Sequence, residues 1–143
     1  MTDPIRIVVD GPPVPYSERT TLWRGKVGSQ RRPKVVAYQT AISWAARQVM
    51  AGRPPLEGPI WFSATFFMPM PKRMRKMERI IAEQELLPHA KRPDRTNLLK
   101  AAEDALNGIV WVDDGQVSGG MPLKFYSRRP RVELTVEPWA NNH

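Results

Sequence analysis

Asn97-Leu98-Leu99-Lys100-Ala101-Ala102-Glu103-Asp104-Ala105-Leu106-Asn107 carries the strongest helix signal in the chain. Leu98, Ala102 and Ala105 recur at the spacing that stacks side chains along one face, while Lys100, Glu103, Asp104 and Asn107 keep polar positions. Gly108 follows where a left-handed C-terminal residue is wanted, Pro93 bars an earlier start, and Thr96 is a good N-cap for a helix over 97 to 107. Upstream, Ile5, Ile7 and Val9 alternate as in a strand, and Gly11-Pro12-Pro13 stops it. A basic loop then leads to a helix from Val35 to Met50, with Tyr38, Ile42, Ala45 and Val49 on one side. The apolar run 60 to 68 is a buried strand ended by Pro69 and Pro71, and residues 73 to 87 form an amphipathic helix, read either as a lid or as an ordinary packed helix. Downstream, Val110-Trp111-Val112 and an Asp-Asp-Gly turn precede two strands, 116 to 126 and 131 to 137, expected as a hairpin, with a fraying tail at 138 to 143. Strands and helices in this order make one α+β domain over residues 1 to 143.

Composition narrows the function. With no Cys in 143 residues, disulfides and a Cys-ligated zinc site are excluded, and no apolar run reaches the length of a membrane span. The expected setting is soluble and cytoplasmic. Lys and Arg number 22 against 14 Asp and Glu, a net charge of +8 that attracts polyanions. The cations cluster: Arg19, Arg24, Lys26, Arg31, Arg32 and Lys34 in one stretch, and Lys72, Arg73, Arg75, Lys76 and Arg79 in another. Two such clusters can converge on one face that reads a nucleic-acid backbone. Trp61, Phe62, Phe66 and Trp111 lie in apolar runs and read as core, whereas Tyr16, Trp23 and Tyr38, near the basic loop, are candidates for stacking on bases. His89 has no second His nearby and reads as surface or phosphate-contacting.

The acidic residues suggest chemistry. Asp94 precedes the central helix, Asp104 lies on its third turn, and Asp113-Asp114 follows a short reversal at Asn107-Gly108. Carboxylates from a helix start and a following strand end can share a hard cation, Mg²⁺ or Mn²⁺, and the lack of a Cys or His set points away from zinc. Each aspartate also has a structural reading, Asp94 against the helix dipole and Asp114-Gly115 as turn chemistry. On an extended segment neighbours point opposite ways, so of the pair Asp114 is expected to face the metal and Asp113 to be its acidic neighbour.

The segment Lys91-Arg92-Pro93-Asp94-Arg95-Thr96-Asn97-Leu98-Leu99-Lys100, then Asp104-Ala105-Leu106-Asn107-Gly108 and Trp111-Val112-Asp113-Asp114-Gly115-Gln116-Val117, closely resembles the signature of the RusA-type Holliday-junction resolvases. The similarity extends to Met68-Pro69-Met70-Pro71-Lys72 and the last two strands. The resemblance implies a homodimer built on a mixed β-sheet with helices packed against it. It also implies a Mg²⁺-dependent crossover junction endodeoxyribonuclease of phages and prophages, a phosphodiester hydrolase that makes paired symmetric nicks in four-way DNA junctions, with Mn²⁺ as a substitute cation. Carried over by residue, it makes Asp94, Lys100 and Asp114 catalytic and Asp94, Asp114 and Asp113 metal-binding; Lys91 and Arg92 join the basic clusters as candidate DNA contacts on their charge. The setting would be the cytoplasm of a bacterial or phage-infected cell. One position departs: where the family has a second metal-binding aspartate, this chain has Thr96. Either Asp104 or Asp113 supplies the missing carboxylate, or the chain is a catalytically weak or inactive protein that binds branched DNA; a nuclease for flap or fork DNA is the remaining alternative.

Overall fold

A computed structural model describes residues 3–142. In chain order it contains β1 (Ile5–Asp10), β2 (Glu18–Trp23), β3 (Lys26–Arg31), α1 (Pro33–Met50), β4 (Ile60–Pro69), α2 (Lys76–Glu83), α3 (Arg95–Leu106), β5 (Val117–Gly119), β6 (Pro122–Ser127) and β7 (Arg131–Pro138). Two short 3-10 turns occupy Asp114–Gln116 and Trp139–Asn142. The main sheet is mixed: β7 lies antiparallel between β1 and β4, and the other edge of β4 pairs parallel with β5 and β6. The α+β expectation therefore holds, and the sheet is mixed as the resemblance implied. Among the described residues, no helix is long and apolar enough to cross a membrane.

Alternation explains the central strands. Ile60, Phe62, Ala64 and Phe66 of β4 and Val132, Leu134 and Val136 of β7 are buried at every second position, as a strand with one face on the core requires. They form one apolar cluster with Tyr38, Ile42, Ala46 and Met50 of α1 and with Leu98, Ala101, Ala102, Ala105 and Leu106 of α3. The three alanines let α3 lie close to its neighbours, and two polar side chains of α1 tie the helices together: Gln39 Nε2 donates to the Ala101 carbonyl at 3.0 Å and Ser43 Oγ to that of Ala105 at 2.8 Å.

Several local expectations change. The stretch before α1 is not a loop but the β2–β3 hairpin, closed by Arg24 and Gly25 at φ 48° and 75°, the left-handed pair that a tight hairpin turn needs. The expected pairing of the last two strands does not occur, because β4 stands between β6 and β7. Gly120 lets the chain switch from β5 to β6 at φ 131°, and a Cβ there would sit 1.6 Å from the Phe62 carbonyl oxygen. Helix α2 is shorter than 73 to 87, and its Met77, Ile80 and Ile81 are exposed rather than packed. Helix α3 starts at Arg95 with Asp94 in the N-cap position, so Thr96 lies inside the first turn and is not the cap. In the tail, Trp139 packs on Trp61 with ring centroids 5.6 Å apart and donates its N–H to the Pro59 carbonyl at 2.9 Å; His143 lies outside the described residues.

Candidate functional site

The start of α3 is held from two sides. Lys124 on β6 extends its ammonium to the carbonyls of Lys91 and Pro93, at 2.8 and 2.9 Å, and so fixes the loop that delivers Asp94. The Asp94 carbonyl accepts the Leu98 N–H at 3.1 Å, but its side chain makes no cap bond and is exposed. From the hairpin side, the Tyr16 N–H donates to the Asn97 carbonyl at 2.9 Å.

Lys100, one turn further on, is partnered within the protein. Its ammonium lies 3.4 Å from the Asp104 carboxylate and 4.4 Å from the centroid of the Tyr16 ring. The Tyr16 hydroxyl and Ser29 both donate to Glu18. Those two bonds, helped by the charge of Lys100, hold the Glu18 carboxyl below its ordinary range; donation to Glu18 raises the Tyr16 hydroxyl above its own.

The acidic turn is built for shape. Asp113 accepts the Gly115 N–H at 3.1 Å, an Asx-type cap that turns its carboxylate back on its own loop. Gln116 locks the turn in place: its Oε1 accepts from Val112 and Asp113 at 2.8 and 2.9 Å, and its Nε2 donates to the carbonyls of Leu56 and Gly58 at 2.9 and 3.0 Å. Sequence reasoning passed over Gln116, although a Gln three residues after an Asp is the pattern of a capping box. It also passed over Glu103, whose carboxyl is pushed up mainly by burial and then by the nearby charges of Asp114 and Asp104.

These placements overturn the expected metal centre. Among the described residues, no three His, Asp or Glu side chains form a group that could hold a metal ion. Asp113 is spent on its turn, Asp104 faces Lys100, and Thr96 offers a neutral hydroxyl where a third carboxylate would be needed. Neither Asp104 nor Asp113 supplies the missing ligand beside Asp94 and Asp114. The Mg²⁺ or Mn²⁺ cofactor is therefore withdrawn, and with it the reading as a Mg²⁺-dependent endonuclease that resolves junctions by paired nicking.

The cations fare differently. Arg19, Arg24, Lys26, Arg31, Arg32, Lys34, Lys72, Arg73, Arg75, Lys76, Lys91 and Arg92 are all exposed. Of these, only Arg75 is ion-paired among the described residues, 3.8 Å from Glu78, and Arg31 donates a hydrogen bond to the neutral Gln39 at 2.5 Å. Of the stacking candidates, Tyr38 is buried in the core, its hydroxyl without a partner among the described residues, whereas Trp23 is 74% exposed. His89 is half-buried against Tyr126, with ring centroids 4.8 Å apart, and burial, with the nearby charge of Lys124, lowers its pKa.

Residues 10–137 match the family model described as Endodeoxyribonuclease RusA. The chain is also similar to the Bacillus subtilis (strain 168) protein described as "Uncharacterized protein YqaN", with 33% identity over 139 residues, covering 94% of this chain and 96% of that protein. With the match spanning most of its length, the chain belongs to the RusA family.

Proposed function

We propose that this chain is a branched-DNA-binding member of the RusA family, acting as one domain over residues 1–143 and as a homodimer, with strand cleavage weak or absent. The observation that carries the reading is the exposed positive charge, above all at the start of α1. α1 begins behind Arg32 with Lys34 and no acidic residue in its first turn, whereas the cations at α2 and α3 stand beside Glu78, which pairs with Arg75, and Asp94 at the N-cap; none of the three has a side-chain cap. Cations at the positive end of a helix oppose its dipole, so local stability does not favour them, while a phosphate backbone does. The family's description as endodeoxyribonuclease supplies DNA as the polyanion. A homodimer suits a four-way junction because two-fold related subunits meet two-fold related strands.

The test is a competition between a four-way junction and linear duplex of the same length at fixed salt, with and without Mg²⁺ or Mn²⁺, alongside sedimentation of the free protein. Tighter binding to the junction, little or no strand cleavage at saturating protein, and a melting temperature indifferent to the cation are expected. Equal affinity for the two DNAs would overturn the binding reading, and efficient Mg²⁺-dependent nicking would overturn the loss of the metal centre.

A further inference from the structure

Among the described residues, the β2–β3 hairpin forms its own two-stranded sheet and pairs with no strand of the main sheet. Directly opposed residues share a face, so the register sorts its side chains into two sets. One face carries Glu18 with Arg31, Thr20 with Ser29, and Leu22 with Val27. Its base is occupied, since Glu18 accepts from Tyr16 and Ser29 and Arg31 reaches Gln39. The other face carries Arg19 with Gln30, Thr21 with Gly28, and Trp23 with Lys26. On it an exposed indole has Lys26 directly across and Arg19 two pairs towards the base, and the Arg24 guanidinium lies 5.7 Å from the ring centroid. The pair between is small: a Cβ on Gly28 would already meet Thr21 Oγ1 at 3.0 Å. The result is a step between an aromatic platform and a cation, on an arm whose Arg19, Arg24 and Lys26 form no ion pair among the described residues.

We propose that this face is a stacking platform for an unpaired base at a DNA branch point, resting on the DNA-binding reading above. The Trp23 indole stacks on the base, and Arg19, Arg24 and Lys26 take the neighbouring phosphates. A free base face is the ligand that fits: stacking is indifferent to base identity and needs a π-face that duplex DNA hides, and the flanking charges match a phosphate backbone. An apolar partner would leave three cations facing it unpaired.

The full-length protein, Trp23→Ala and Trp23→Phe are compared on a four-way junction carrying 2-aminopurine at the branch, on single-stranded DNA, and on linear duplex. Trp23→Ala is expected to weaken binding to the junction and the single strand by about 5- to 150-fold, the range of one base-aromatic stack, and to leave duplex affinity unchanged. Trp23→Phe retains most of the affinity, and the 2-aminopurine quenching seen with wild type is lost in Trp23→Ala. Equal losses on all three DNAs, or no loss on any, overturn the platform while a junction preference of the wild type keeps the broader reading. A wild type without junction preference overturns the branched-DNA reading, yet a loss confined to single strands in Trp23→Ala still supports the platform. Conversion of a dimer to a monomer by Trp23→Ala would instead assign the hairpin to self-association and overturn the proposal.

Discussion

Arg32→Ala combined with Lys34→Ala moves stability and DNA binding in opposite directions. Both side chains are exposed at the start of α1, the first as N-cap and the second in the first turn, with no acidic residue there and no ion-pair partner among the described residues. A charge in this position is worth about 0.3–1 kcal/mol against or with the dipole. Removing two unfavourable ones at an exposed site gives about 0.5–1 kcal/mol of stabilisation, or a few degrees in Tm for a chain of this size. If each cation neutralises one phosphate, the slope of log K against log salt flattens by about 1.8. Thermal melts and junction titrations over a range of salt measure the two effects on one sample. Arg128→Ala is the matched control, because Arg128 is ion-paired with Glu83 at 2.6 Å and its removal should barely alter the slope. A double variant that melts higher but keeps the wild-type salt slope would show that these charges do not meet DNA, and would refute the argument from helix starts.

Two further outcomes test the interior. Tyr38→Phe removes a buried hydroxyl that has no partner among the described residues, and should stabilise the fold by about 1 kcal/mol in urea denaturation while leaving DNA binding unchanged; destabilisation would mean that the hydroxyl is satisfied after all. Arg131→Met should cost about 3 kcal/mol: the buried guanidinium meets Glu85 at 2.6 and 3.0 Å and Glu133 at 2.7 Å and lies 3.9 Å from the Phe67 ring centroid, but both carboxylates stay partly exposed and can rehydrate. The hydrogen bonds from Arg131 hold the Glu85 carboxyl below its ordinary value of 4.5, so this contribution is complete above that value and is lost as pH falls through the lower folded one. Wild type should therefore lose more stability than Arg131→Met across that acid window; parallel pH profiles would contradict the pairing.

Burial was legible for the core elements but not for Met77, Ile80 and Ile81 of α2, which are exposed, or for Tyr38, which is buried, and partnership was not legible. The core strands β1 and β4 and the helices α1 and α3 were legible because apolar periodicity reports which side of an element meets the core. The pairing of β6 and β7 was misread because alternation names a face and not a neighbour: Val132, Leu134 and Val136 would bury equally well beside β6, yet they lie against β4 and β1. The β2–β3 hairpin was missed because both its faces are polar enough to resemble a loop, with Glu18, Arg19, Thr20 and Thr21 hiding the strand. Only its Arg24-Gly25 turn marked the reversal.

The same distinction separates the cations from the carboxylates. Excess positive charge can be counted along a chain, and its exposure follows from the cost of burying it unpaired. A metal site instead depends on where three or more short side chains point, and at Asp104 and Asp113 nearby partners decide that direction: an ammonium one turn back for the first, a backbone N–H two residues on for the second. Thr96 was the readable warning, since a neutral side chain in the first turn of α3 removes a charge that no other carboxylate is placed to restore. At the helix starts, Arg75 pairs with Glu78 at 3.8 Å and Arg95 reaches the Pro122 carbonyl at 3.4 Å, whereas Arg32 and Lys34 before and within α1 have no ion-pair partner among the described residues. Arg32 and Lys34 work against the dipole of α1, and it is these two that the proposed polyanion binding would explain.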